Sequence, residues 1–152
     1  MSFPNLSRDR GKPSGHSLAM IQIQMFAELF EGASEAQARG YLGRIGARLA
    51  ALSPLPRDAE SGEALTGAMN LLWADLEWGK AEIALDEKGI DIVHLGMPLA
   101  LDGDDEGVWK NGILWILEGA YDAWFRAMGS GPGLSTRVVG QSAGRIELRH
   151  GA

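Results

Sequence analysis

Three stretches of the chain have residue types and spacings that could do chemistry. Gly140-Gln141-Ser142-Ala143-Gly144 has the form of a nucleophile elbow. In that device a serine on a sharp strand-to-helix turn attacks an acyl carbon, aided by an acid and a histidine later in the chain. Here the flanking residues alternate as strands do, and only Glu147 and His150 follow as acid and base. A polar hairpin turn explains the match. Asp102-Gly103-Asp104-Asp105-Glu106-Gly107 opens like a calcium loop. Its fifth position is Glu106, however, and its twelfth, where a bidentate glutamate is required, is Ile113. A solvated loop is expected. Gly129-Ser130-Gly131-Pro132-Gly133 is a poor phosphate cradle, because it follows a helix and Pro132 lacks a backbone N–H.

The remaining titratable groups are no more suggestive. His16, His94 and His150 have no histidine partner at helical spacing. Glu118 and Asp122 share a helix face, but Arg126 follows Asp122 by four residues and makes an ordinary stabilising pair. Cysteine is absent, which excludes disulfides, thiolate metal sites and a cysteine nucleophile. No catalytic residue, no metal and no cofactor is expected. The chain reads as a non-enzyme.

The elements that position these groups belong to one domain, since 152 residues are enough for one core and too few for two. Residues 1–16 are polar and read as a flexible arm, leaving 17–152 as the domain. Apolar periodicity predicts a first helix over Ser17 to Glu31, with Leu18, Ile21, Met25 and Leu29 on its broad apolar face. Ser34 and Gln37 form a capping box that starts a second helix, Glu35 to Ala51. A third runs from Ser61 to Trp78-Gly79, where a terminal glycine takes the left-handed conformation. A hairpin turning at Asp86-Glu87-Lys88-Gly89 pairs Lys80–Leu85 with Ile90–His94. A fourth helix covers Val108 to Met128, and a second hairpin pairs Thr136–Gln141 with Arg145–His150. The fold class is α+β: N-terminal helices, then two antiparallel hairpins flanking a long helix and forming one small sheet packed on helices.

A net charge of −6 speaks against a nucleic-acid partner, which needs clustered Lys and Arg. No apolar run is long enough for a membrane span, and no signal-peptide pattern opens the chain. A cytoplasmic location is expected, with the periplasm as the alternative. Ala36, Gly40, Gly43, Ala47 and Ala50 put small residues in one stripe of the second helix. Glycine inside a helix costs about 0.5–1 kcal/mol against alanine, a cost offset only if another backbone comes close. Gly40, Gly43 and Ala47 are therefore expected at a helix-packing or oligomer contact. The fourth helix is apolar on two faces, so it is either central or covered by another copy of the chain. Trp115, within its polar stripe, is the expected interface anchor.

The order of Trp78-Gly79, Ile92-Val93-His94, Pro98 and Leu117-Glu118-Gly119-Ala120-Tyr121-Asp122-Ala123-Trp124 resembles the D protein of bacterial cellulose synthase operons. Gly43-Arg44-Ile45-Gly46-Ala47-Arg48-Leu49-Ala50, Pro54-Leu55-Pro56 and Ile146-Glu147-Leu148-Arg149 extend the likeness over about residues 34–150. Trp78, Gly79, His94, Glu118, Gly119, Tyr121 and Trp124 are its structural motif residues here. The resemblance implies a non-catalytic homo-oligomer built from dimers, working with other cellulose synthase complex proteins to organise synthase units or guide nascent β-1,4-glucan. It also implies an N-terminal region turned towards the glucan, which makes Phe3, Asn5, Ser7 and His16 the candidate contacts. A second likeness, to small-molecule sensory domains of the 4-vinyl-reductase and Bet3-like type, is the alternative. Those domains often carry a cysteine near the last hairpin, which this chain lacks.

Overall fold

The computed structural model describes residues 15–152. Helix α1 spans Gly15–Gly32, α2 Glu35–Ala51, α3 Gly62–Asp75 and α4 Val108–Ala127. The strands are β1 Lys80–Asp86, β2 Gly89–Leu95, β3 Ser135–Ser142 and β4 Arg145–Gly151. Each hairpin turns through two residues, with Asp86 opposite Gly89 and Ser142 opposite Arg145. Pairing of β2 with β4 joins the hairpins into one antiparallel sheet of order β1-β2-β4-β3. The α+β class expected from the periodicity is the class found.

Local chemistry explains most boundaries. At the start of α2, Ser34 Oγ accepts from Gln37 N at 3.2 Å and Gln37 Oε1 accepts from Ser34 N at 2.9 Å, the reciprocal box read from the sequence. The end of α3 differs from expectation. The helix stops at Asp75, and Trp78 N donates to Trp73 O while Glu77 N donates to Ala74 O. This is a Schellman closure, and its left-handed residue is Glu77, at φ 56°, in place of a glycine. Gly79 is also left-handed (φ 79°) but serves another purpose. A side chain there would overlap the Leu95 carbonyl and stand 2.8 Å from Gly96 C, so the glycine lets β1 leave α3 directly beside the end of β2.

The acidic loop before α4 is not merely solvated. The N-cap residue of α4, Gly107, has no side chain to offer, and Asp104 supplies the cap from upstream. Its two carboxylate oxygens accept from Val108 N and Trp109 N, each at 3.0 Å, placing negative charge at the positive end of the helix dipole. Sequence spacing hid this, because the capping residue lies outside the usual N-cap position.

Helix α4 runs through the centre of the molecule. Ile113, Ile116, Leu117, Ala120, Tyr121 and Trp124 are all buried, and both apolar faces find partners inside the chain. One packs on α2; the other meets the inward residues Ile92, His94, Ile146 and Leu148 of the sheet. Of the two readings of an all-apolar helix, central position is the one realised. Helix α1 departs from its expected orientation. Its buried residues are Ile23 and Phe26, with Phe26 stacked on Trp109 at 5.7 Å, while Leu18, Ile21 and Met25 are 54, 60 and 59 % exposed.

Candidate functional site

Helices α2 and α4 run in the same direction, as the successive contacts Arg39–Glu118, Gly43–Gly119 and Ala50–Trp124 show. They touch backbone to backbone. A Cβ on Gly119 would overlap the Gly43 carbonyl oxygen and lie 2.5 Å from Gly43 Cα. One on Gly46 would overlap Ile116 O and lie 2.6 Å from Ala120 N. At the far end the Trp124 indole donates to Ala50 O (3.1 Å) and Ser53 O (2.9 Å), satisfying carbonyls that the end of α2 leaves open.

Beyond this contact the two helices diverge into a groove of about 540 Å³. Gly40, Gly43, Ala47, Gly119 and Ala123 line it with almost no side chain, and Arg39, Arg44, Trp115, Arg126 and Arg137 also border it. Trp115 is half-buried, with the Phe30 ring edge-on at 5.6 Å and the Arg39 guanidinium 5.9 Å from its centroid.

The wall shared with β3 contains an arrangement that sequence reading missed. Glu118 and Asp122 are one turn apart on α4, about 6 Å, and alternate residues of a strand are separated by nearly the same rise. The match lets Glu118 Oε1 accept from Val138 N at 2.9 Å and Asp122 Oδ1 accept from Thr136 N at 3.1 Å. Two acids thus seal the edge of β3, whose N–H groups would otherwise point at a helix. Each acid is balanced by an arginine. Arg39 donates to both Glu118 oxygens (2.6 and 3.0 Å), and Arg126 Nε donates to Asp122 Oδ2 at 2.6 Å. The i, i+4 pair was legible; the strand it serves was not.

Two buried histidines hold the layers together. His94 Nε2 is 2.6 Å from the Trp78 carbonyl, which can only accept, so the proton is on Nε2 and Nδ1 accepts from Tyr121 Oη at 2.7 Å. Burial pushes this imidazole below its ordinary pKa, against the pull of the Trp78 carbonyl, and burial also raises the Tyr121 phenol. Trp73 packs against Trp78, His94, Tyr121 and Trp124, with ring centroids 5.1–5.9 Å away. His150, on β4, meets Thr136 Oγ1 through Nδ1 at 2.8 Å and Ser130 Oγ through Nε2 at 2.7 Å. This latches the Gly129–Gly133 loop to the sheet. Burial lowers the His150 pKa too, with Asp122 opposing and Arg126 adding to the shift.

The expected site residues separate into three groups. Trp78, His94, Tyr121 and Trp124 form the buried aromatic centre, beside the Gly79 crossing. Gly40, Gly43, Ala47, Trp115, Glu118 and Gly119 line the groove. His16 stands exposed in the first turn of α1, within the helix and not ahead of it. Phe3, Asn5 and Ser7 lie outside the described residues. Ser142 ends β3 at a hairpin, without the helix that an elbow requires. Among the described residues no group of His, Asp and Glu is placed to hold a metal ion, and no helix is long and apolar enough to cross a membrane.

No curated protein matches the chain. A family model for the D subunit of cellulose synthase matches residues 18–151. That span takes in the paired helices, the aromatic centre and both hairpins, and the chain therefore belongs to the family of cellulose synthase D subunits.

Proposed function

We propose that this protein is a non-catalytic homo-oligomeric scaffold of cellulose synthesis, which organises synthase units and guides nascent β-1,4-glucan towards export and crystallisation. The observation that carries the reading is the outward apolar face of α1. Leu18, Ile21 and Met25, with Tyr41 of α2, border an apolar groove of about 1,020 Å³ between the two helices. Contiguous exposed apolar surface of this kind marks association sites. The polar groups that could have served catalysis are spent on structure instead. Glu118 and Asp122 seal a strand, Asp104 caps a helix, and His94 and His150 latch layers.

Self-association would present several copies of the N-terminal segment together, with Phe3, Asn5, Ser7 and His16 as the glucan contacts. Other cellulose synthase complex proteins would tie the assembly to the cytoplasmic side of the inner membrane. Nothing in the fold or the family match favours the sensory-domain alternative. The test is a Leu18→Ser/Ile21→Ser/Met25→Ser variant in a cellulose-producing strain that lacks its own copy. The expected result is a folded variant that lowers cellulose yield or crystallinity while isolated membranes polymerise glucan at the normal rate. Wild-type cellulose from a folded, monomeric variant would contradict the scaffold reading.

A further inference from the structure

The α2/α4 groove is a basic feature on an acidic protein. Arg39, Arg44, Arg126 and Arg137 line it against only two carboxylates, Glu118 and Asp122, so it carries a formal charge of +2 in a chain of net charge −6. Arg39 and Arg126 are taken by those carboxylates. Among the described residues Arg44 and Arg137 reach no carboxylate, Arg137 donating only to its own neighbour's carbonyl, Thr136 O. Between these arginines the floor is glycine and alanine, which leaves room for another backbone to lie close.

The molecule carries the complement on its opposite-signed helix. In α1 the exposed stripe runs Leu18, Ile21, Met25, Glu28 at helical spacing, with Glu31 beside its acidic end. The helix has no Lys or Arg between Gly15 and Gly32. Residues 18–31 span about 20 Å, and the lining segments 36–47 and 115–126 each about 16 Å. Shape, length and sign therefore agree: an apolar, acidic helix face and a small-floored, arginine-bordered groove, neither covered among the described residues.

We infer that the α2/α4 groove receives α1 of a second copy, with Leu18, Ile21 and Met25 laid on the glycine and alanine floor and Glu28 and Glu31 meeting Arg44 and Arg137. The inference rests on the assembly reading and names its interface. Helix-in-groove docking of this type takes affinity from the apolar stripe and orientation from the flanking charges.

The experiment is a charge swap followed by light scattering at micromolar concentration. Arg44→Glu/Arg137→Glu reverses the groove, and Glu28→Arg/Glu31→Arg reverses the helix. All four side chains are surface groups, so each variant is expected to fold, which circular dichroism checks. Each variant alone is expected to run at the single-chain mass of 16.3 kDa. An equimolar mixture is expected to regain mass above that of a single chain, because every reversed groove then meets a reversed helix. An assembled single variant, or a mixture that stays monomeric, overturns this interface while leaving the assembly reading standing. A monomeric wild type overturns both.

Discussion

Gly119→Ala adds one methyl group where two helices touch, and the structure predicts its effect from first contacts. The new Cβ would lie 2.5 Å from Gly43 Cα and overlap the Gly43 carbonyl oxygen. Carbon atoms in contact settle at about 3.5–4.0 Å, so α2 and α4 must part by roughly 1 Å. Both obstructing atoms are backbone and cannot rotate away. Overpacking of this kind costs about 1–3 kcal/mol, and rigid partners put it at the upper end. Alanine returns about 0.5–1 kcal/mol of helix propensity, which leaves a net loss of about 2 kcal/mol. In a chain of this size that lowers Tm by roughly 4–8 °C. Gly43→Ala is the control from the other side of the same contact. Its Cβ would find Gly119 Cα no nearer than 4.0 Å, so only the propensity gain remains and Tm rises by roughly 1–4 °C. Thermal melts followed by circular dichroism, at one fixed protein concentration, separate the two. A Gly119→Ala protein melting at or above wild type refutes the claim that backbone contact at this point sets the helix separation.

Further outcomes follow from the buried histidines and the caps. Both histidines are held below their ordinary pKa in the folded chain, so below about pH 6.5 the unfolded chain binds more protons and stability is lost as the pH drops. Urea titrations between about pH 7.5 and 5, bracketing the ordinary histidine pKa, should show that decline, and His94→Phe should flatten it; a decline of unchanged slope in the variant removes His94 as a source. The same substitution leaves Trp78 O and Tyr121 Oη without their His94 partner and costs about 2–4 kcal/mol at neutral pH, measured by the same titration. Asp104→Ala removes the carboxylate bonded to the first amides of α4 and should cost about 1 kcal/mol; unchanged urea stability would deny the cap its role. On the open face of the sheet, Arg149 bonds Asp86 and holds its carboxyl at about 2. Arg149→Gln should return that group towards the usual carboxylate range, read by carbon-13 NMR titration, and an unmoved value would contradict the assignment.

What the sequence disclosed was governed by near neighbours. The Ser34–Gln37 box, the two-residue turns after Asp86 and Ser142, and the period of α2 and α4 all depend on residues within a turn of one another. Their elements were legible to within a residue or two. What it concealed depends on who packs against whom. Leu18, Ile21 and Met25 have the same period as Ile23 and Phe26, and only the docking of Phe26 on Trp109 decides which face turns inward. Glu77 closes α3 in a left-handed conformation beside the stacked Trp73 and Trp78 rings, an arrangement invisible in the propensity of glutamate. The groove residues could be picked from the small-residue stripe. Their acidic wall could not, since Glu118 and Asp122 find their strand partners fourteen and more residues downstream. The match between a helix turn and two strand residues is the one signal that could have suggested it.

The account depends above all on association, because a scaffold with no partner surface in use has no function. Multi-angle light scattering of the purified 152-residue chain across micromolar concentrations measures that directly. The expected mass is an even multiple of 16.3 kDa, since closed assemblies of one chain are most often built from twofold pairs. A mass of 16.3 kDa throughout that range would contradict the scaffold reading and the α1 interface together.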